Sequence, residues 1–74
     1  AKANVGDRVV EAAVSAGLFR TISEARRAVE AGGLYINNER VESVDEALAD
    51  DYFLHNRFAL LRRGKKAIGA VERA

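Results

Sequence analysis

Gly32-Gly33-Leu34-Tyr35-Ile36-Asn37-Asn38-Glu39-Arg40-Val41 is the stretch on which the fold turns. The paired glycines end a helical pattern, and beyond them the apolar period changes to two. Leu34 and Ile36 share one face of a strand, and Tyr35 shares the other with Asn37. Asn37-Asn38 supplies two residues that tolerate positive φ, as a tight hairpin turn needs. Arg40-Val41 begin the return strand.

Upstream of this hairpin the period is helical. Ile22, Ala25, Ala28 and Val29 form an apolar stripe, with Arg26 beside it and Arg27 well round toward solvent. Thr21 and Glu24 stand in capping-box spacing, with Ser23 as an alternative cap. Before them, Val9, Val10, Ala13 and Val14 mark a first helix, for which Asp7 is the expected cap. Gly17 is placed to end that helix in the left-handed conformation, with Leu18 closing over it. Residues 1–6 have no periodic pattern and read as a linker or disordered terminus.

Downstream, residues 42–51 read as an acidic loop with one short helical turn around Ala47-Leu48. Tyr52, Phe53 and Leu54 anchor it. A second hairpin follows: Phe58 to Arg62 runs out, Arg63-Gly64-Lys65 turns, and Lys66 to Val71 returns. Helix, helix, hairpin and basic hairpin together predict one α+β domain over residues 7–74.

Composition narrows the function classes. The chain has 74 residues, no Cys and one His, His55. A domain this small buries only about 60% of its unfolded surface, leaving little room for a deep catalytic pocket. Disulfides, thiolate metal sites and histidine-rich metal sites are excluded, so we expect no metal and no cofactor bound in this domain. No apolar run approaches the ~20 residues that span a bilayer. We therefore expect no membrane partner and a cytoplasmic location. The opening Ala1-Lys2-Ala3-Asn4 lacks an initiating Met, which suggests a piece of a longer protein or simple Met removal.

Net charge is only +1, but the charge is unevenly placed. Glu39, Glu42, Asp45, Glu46, Asp50 and Asp51 face one nearby base, Arg40. Arg57, Arg62, Arg63, Lys65 and Lys66 follow with no acid among them. A local basic patch is an electrostatic footprint for a polyanion. No catalytic set can be assembled from a lone His without a nucleophile elbow. Gly32-Gly33 follows a helix and lacks the Lys-Ser/Thr of a nucleotide loop. The clustered carboxylates read as solvated charge, and His55 as a structural or surface residue.

Two features point to RNA. Thr21, Ser23, Arg26 and Arg27 put hydroxyls at a helix start, where free N–H groups attract phosphate, and two guanidiniums within the next turn. The plain alternative is that Thr21 and Glu24 only cap while Arg27 pairs with Glu24 or Glu30. Arg62-Arg63-Gly64-Lys65-Lys66 crowds four bases at a hairpin tip, where repulsion asks for a polyanion; its alternative is a solvated turn. No exposed aromatic series offers stacking for single-stranded bases, so backbone and shape recognition of folded RNA fits better.

Ala16-Gly17-Leu18, Ser23-Glu24-Ala25-Arg26-Arg27 and the Gly32–Val41 hairpin resemble, in order and spacing, the S-four fold of RNA-binding modules. That resemblance implies two short helices packed on a small bent antiparallel sheet. Leu54 to Lys66 looks like the closing segment of bacterial tyrosyl-tRNA synthetases. The departures are Asn38 where that family usually has Gly, Ala67, Ile68, Gly69 and Ala70 where it often shows larger residues, and Val10 where other S-four relatives usually carry an acid. The synthetase resemblance implies a tRNA-binding tail that contacts the anticodon stem and long variable arm of tyrosine tRNA. It implies Thr21, Ser23, Arg26, Arg27, Arg62, Arg63, Lys65 and Lys66 as the RNA-binding residues, and no catalytic residue here. The parent would be a tyrosine–tRNA ligase, using ATP and Mg in a separate catalytic domain through which it forms a homodimer. The alternative within the fold is an S-four-type rRNA-binding module of a ribosome-associated or RNA-modifying protein.

Overall fold

The two glycine stops divide the chain as expected, and each does so through a complete terminal motif. The computed structural model describes residues Ala1–Ala74. Helix α1 spans Val9–Ser15 and helix α2 spans Ile22–Glu30. After α1, Gly17 has φ +84°, Leu18 N–H donates to Ala13 O (3.1 Å) and Gly17 N–H to Val14 O (3.0 Å). After α2, Gly32 has φ +77°, and Gly33 and Gly32 make the equivalent bonds to Ala28 O and Val29 O. Both are Schellman endings, which satisfy carbonyls that a helix terminus leaves unpaired.

The strands are β1 (Lys2–Ala3), β2 (Leu34–Ile36), β3 (Glu39–Arg40), β4 (Phe58–Arg63) and β5 (Ala67–Arg73). They form one sheet in the order β1-β5-β4-β2-β3. All pairings are antiparallel except β1 with β5, so the sheet is mixed rather than purely antiparallel. Asn37 and Asn38 turn β2 into β3 at φ 50° and 68°, the two positive values a type I′ turn needs. Register places Tyr35 opposite Arg62 and Ile36 opposite Leu61, while Leu61 also faces Gly69.

One apolar cluster joins both halves. Val9, Val10, Ala13, Ala25, Leu34, Val41, Ala59, Leu61 and Val71 are at most 1% exposed. Ala59 and Leu61 point to the helices, whereas Leu60 between them is 39% exposed on the uncovered face. Ile22, expected in the α2 stripe, is at its edge and 36% exposed. No helix is long and apolar enough to cross a membrane.

Three expectations give way to longer-range contacts. Residues 1–6 are not a free linker throughout. Ala1 O accepts from Glu72 N–H and Ala3 O from Ala74 N–H, both at 2.9 Å, and Ala3 is 3% exposed. Asp7 does not cap α1. Its carboxylate accepts from Asn4 N–H (2.8 Å), Arg8 is the cap residue, and Val9 N–H donates to Glu46 O (2.9 Å). The acidic loop thus supplies the helix start with a backbone acceptor. For the same reason no helical turn forms at Ala47-Leu48. Ala47 bridges Arg8 in extended form, Leu48 is buried, and the turn is a 3-10 helix at Asp50–Tyr52.

Candidate nucleic-acid interface

The start of α2 is built by its own sequence. Thr21 Oγ1 accepts from Glu24 N–H (3.2 Å), as capping-box spacing predicts. The returning Glu24 carboxylate accepts from Arg20 N–H (2.9 Å), one residue earlier than Thr21. Thr21, Ser23, Arg26 and Arg27 are all exposed. Arg27 pairs with neither Glu24 nor Glu30. Its Nε donates to Ser23 O at 3.5 Å, within the helix, and Arg26 has no ion-pair partner.

The basic turn sits against both helix ends. Gly64, at φ +54°, donates its N–H to Gly33 O (2.7 Å), beyond the end of α2. Arg63 Nη1 donates to Leu18 O (3.3 Å), beyond the end of α1, with its guanidinium 4.9 Å from the Phe19 ring. Both arginines of the basic turn are engaged. Arg62 lies on the opposite face of β4, 4.2 Å over the Tyr35 ring, with Nη1 donating to Gly64 O (2.8 Å). Lys65 and Lys66 are exposed and have neither an acid nor a hydrogen-bonding side-chain partner. Arg62 and Arg63 thus diverge across the sheet, while the lysines project from the turn between them.

The acids lie elsewhere. Loop residues Glu46 and Leu48 bond the start of α1, and Arg63 bonds just past its end. A seven-residue helix, about 10 Å long, separates the two charge clusters. The acids that are paired serve local structure: Asp45 meets Arg8 (3.7 Å) and Asp50 meets Arg73. Glu46 accepts from the Tyr52 hydroxyl (2.6 Å). That bond, with burial and nearby carboxylates, pushes the Tyr52 pKa up to about 12. The acidic loop leaves the basic turn unneutralised.

Sequence reasoning missed the partners of the arginines. The period places Tyr35 on the strand face away from Leu34 and Ile36 but names no partner for it, and Phe19 carries no assignment. The β2–β4 register that sets Tyr35 beside Arg62 joins residues far apart in the chain, and no local period reports it. A cavity of about 520 Å³ lies at the other end of β4, lined by His55, Asn56, Arg57, Phe58, Ala70, Glu72 and Arg73. His55 there is an exposed turn residue at φ 54°.

Comparison with known proteins gives a consistent picture. The family model "Tyrosine--tRNA ligase SYY-like C-terminal domain" matches residues 2–70. The tyrosine–tRNA ligase of Bifidobacterium longum (strain DJO10A) is 61% identical over 67 residues, covering 90% of this chain and 15% of that protein. That of Bifidobacterium animalis subsp. lactis (strain AD011) is 55% identical over 74 residues, covering 100% and 17%. That of Acidothermus cellulolyticus (strain ATCC 43068 / DSM 8971 / 11B) is 48% identical over 67 residues, covering 90% and 16%. The chain therefore spans 15–17% of the length of these curated relatives.

Proposed function

This chain belongs to the family of tyrosine–tRNA ligase SYY-like C-terminal domains, and on that premise we propose that it holds tyrosine tRNA for a tyrosine–tRNA ligase. The observation that carries the reading is the basic turn: Lys65 and Lys66 project without acid partners from a tip tied to the ends of both helices. Phosphate contacts of this kind fix the register of a nucleic acid, and folded RNA is read largely through shape and backbone. Lys65 and Lys66 take backbone phosphates. Arg26 and Arg27 add charge from α2, with Thr21 and Ser23 as polar groups at its start. Arg62 and Arg63 contribute to the same positive field. The anticodon stem and long variable arm are the tRNA elements proposed to lie here. Activation of tyrosine with ATP and Mg, and dimerisation, belong to the rest of the parent enzyme, in the cytoplasm.

The test is a salt titration of tyrosine tRNA binding, with an rRNA fragment as competitor. Each lost phosphate contact should lower the slope of log affinity against log salt by about 0.7–0.9. Neutralising Lys65 and Lys66 together should therefore flatten it by about 1.4–1.8. The melting curve should hardly move, since exposed turn charges matter within about 0.5 kcal/mol. Parallel slopes would return the turn to a solvated loop. Equal affinity for the rRNA fragment would remove the tRNA assignment.

A further inference from the structure

Arg62 is badly placed to clamp a phosphate. A guanidinium grips an oxyanion with two parallel N–H groups. One such fork uses Nη1 and Nη2, but Nη1 already donates one of its two N–H groups to Gly64 O at 2.8 Å. The other uses Nε, which is buried and has no partner. The Arg62 guanidinium carbon lies over the ring of Tyr35, its cross-strand neighbour, 4.2 Å from the centre. The Nε fork is therefore closed to a phosphate, and a phosphate drawn to the other would compete with the bond to Gly64 and the contact with Tyr35.

What Arg62 does hold is the turn. The Gly64 N–H is held by Gly33 O at 2.7 Å, and the Gly64 carbonyl is held by Arg62. Both polar groups of Gly64 are thus tied to the body of the domain. Lys66 N–H closes the turn on Arg63 O at 3.1 Å. The two free lysines leave the chain between these fixed points.

We infer that Arg62, stacked on Tyr35, is a positioning residue that fixes the 64–66 turn so that Lys65 and Lys66 meet RNA phosphates in a set direction. The inference rests on the RNA-binding reading for its consequence, though not for its geometry. Ordering the lysines before binding reduces the entropy lost on binding, which is how preorganisation raises affinity. Arginine is required because the role needs a flat cation that stacks and donates at once, which an ammonium cannot do.

The test compares the 74-residue chain with its Tyr35→Leu, Arg62→Lys and Tyr35→Leu/Arg62→Lys variants. Binding to a tyrosine tRNA transcript is titrated against salt, with melting curves alongside. Tyr35→Leu removes no charge and Arg62→Lys keeps it. Each should lower affinity by roughly three- to tenfold, the scale of ordering one or two side chains. The salt slope should stay at the wild-type value. The double variant should lose no more than either single one, because both break the same stack. Wild-type affinity in Arg62→Lys, or losses that add in the double variant, would overturn the inference and make Arg62 an ordinary phosphate contact. Backbone 15N relaxation without RNA supplies an independent arm. Lys65 and Lys66 amides should become more mobile in both single variants, and unchanged relaxation overturns the inference. Absence of tRNA binding by the wild-type chain would instead defeat the functional reading, leaving the relaxation arm to decide the role of Arg62.

Discussion

Asn37 and Asn38 both sit at positive φ, 50° and 68°, yet their side chains are used differently. Asn37 Oδ1 accepts from Leu60 N–H (3.1 Å) and Nδ2 donates to Tyr52 O (2.7 Å). One amide therefore joins the β2–β3 turn to β4 and to the 3-10 helix. Asn38 is exposed and makes no side-chain hydrogen bond. Asn38→Gly should stabilise the fold by about 0.5 kcal/mol by relieving the left-handed conformation. Asn37→Gly gains the same relief but forfeits two hydrogen bonds, for a net loss of about 1–2 kcal/mol. Urea midpoints for the two variants should move in opposite directions. The need for two residues tolerant of positive φ was legible in the sequence. The cross-links of Asn37 were not, because their partners lie 15 and 23 residues away. Tyr52 gives a second residue-scale expectation. Its hydroxyl is held neutral by Glu46, so its folded pKa stands near 12 against an ordinary 10. Unfolded Tyr ionises first as pH rises, so the contribution of Tyr52 to stability is complete below pH 10 and disappears by about pH 12. Tyr52→Phe should cost about 1 kcal/mol near neutrality through the lost hydrogen bond. The gap between wild-type and variant denaturation curves should close over that same alkaline window. A constant gap would mean that the hydroxyl–carboxylate bond contributes nothing.

At the scale of elements, local grammar and tertiary contact divide the work. Both helix ends were readable because a Schellman ending needs only a residue tolerant of the left-handed region and a following backbone N–H. The start of α2 was readable too, since its cap lies within four residues. The start of α1 was not: its acceptor comes from Glu46, across the acidic loop, and that contact displaces the local Asp7 cap. The small residues after Lys66, which depart from the family pattern, also gain a reason. A Cβ at Gly69 would lie 3.1 Å from Ala16 Cβ and 3.2 Å from Ala16 O. The end of α1 therefore rests directly on β5 where Gly69 leaves room. Gly69→Ala should destabilise by about 1 kcal/mol. Overpacking typically costs 1–3 kcal/mol, and the stiffer strand residue returns about 0.5–1 of it. Thermal denaturation checks the value. A rise in melting temperature would show that α1 moves aside without strain.

At the scale of the whole molecule, the sheet order interleaves the two halves of the chain. β1 pairs only with β5, and β2 pairs with β4, so each strand of the first half apart from β3 depends on the second. The buried cluster does the same: Leu48, Phe53, Ala59, Leu61 and Val71 pack with the valines and alanines of α1 and α2. β1 was illegible in the sequence for this reason. A two-residue strand has no period, and only its distant partner makes it a strand. The basic turn inherits its place from the same interleaving, since Gly33 and Leu18 of the first half hold Gly64 and Arg63 of the second. A fragment of residues 1–41 would keep both helices and the β2–β3 hairpin. It would lose the acceptor at the start of α1, the partners of β1 and β2, and the apolar floor beneath both helices. Isolated helices this short are marginal in water, and a lone two-stranded hairpin is no better. The fragment should show a narrow amide proton spectrum and little helical circular dichroism. Mixing it with residues 42–74 should restore dispersion. A well-dispersed spectrum from residues 1–41 alone would mean that the first half holds its own core, and that the basic hairpin is an attachment to it.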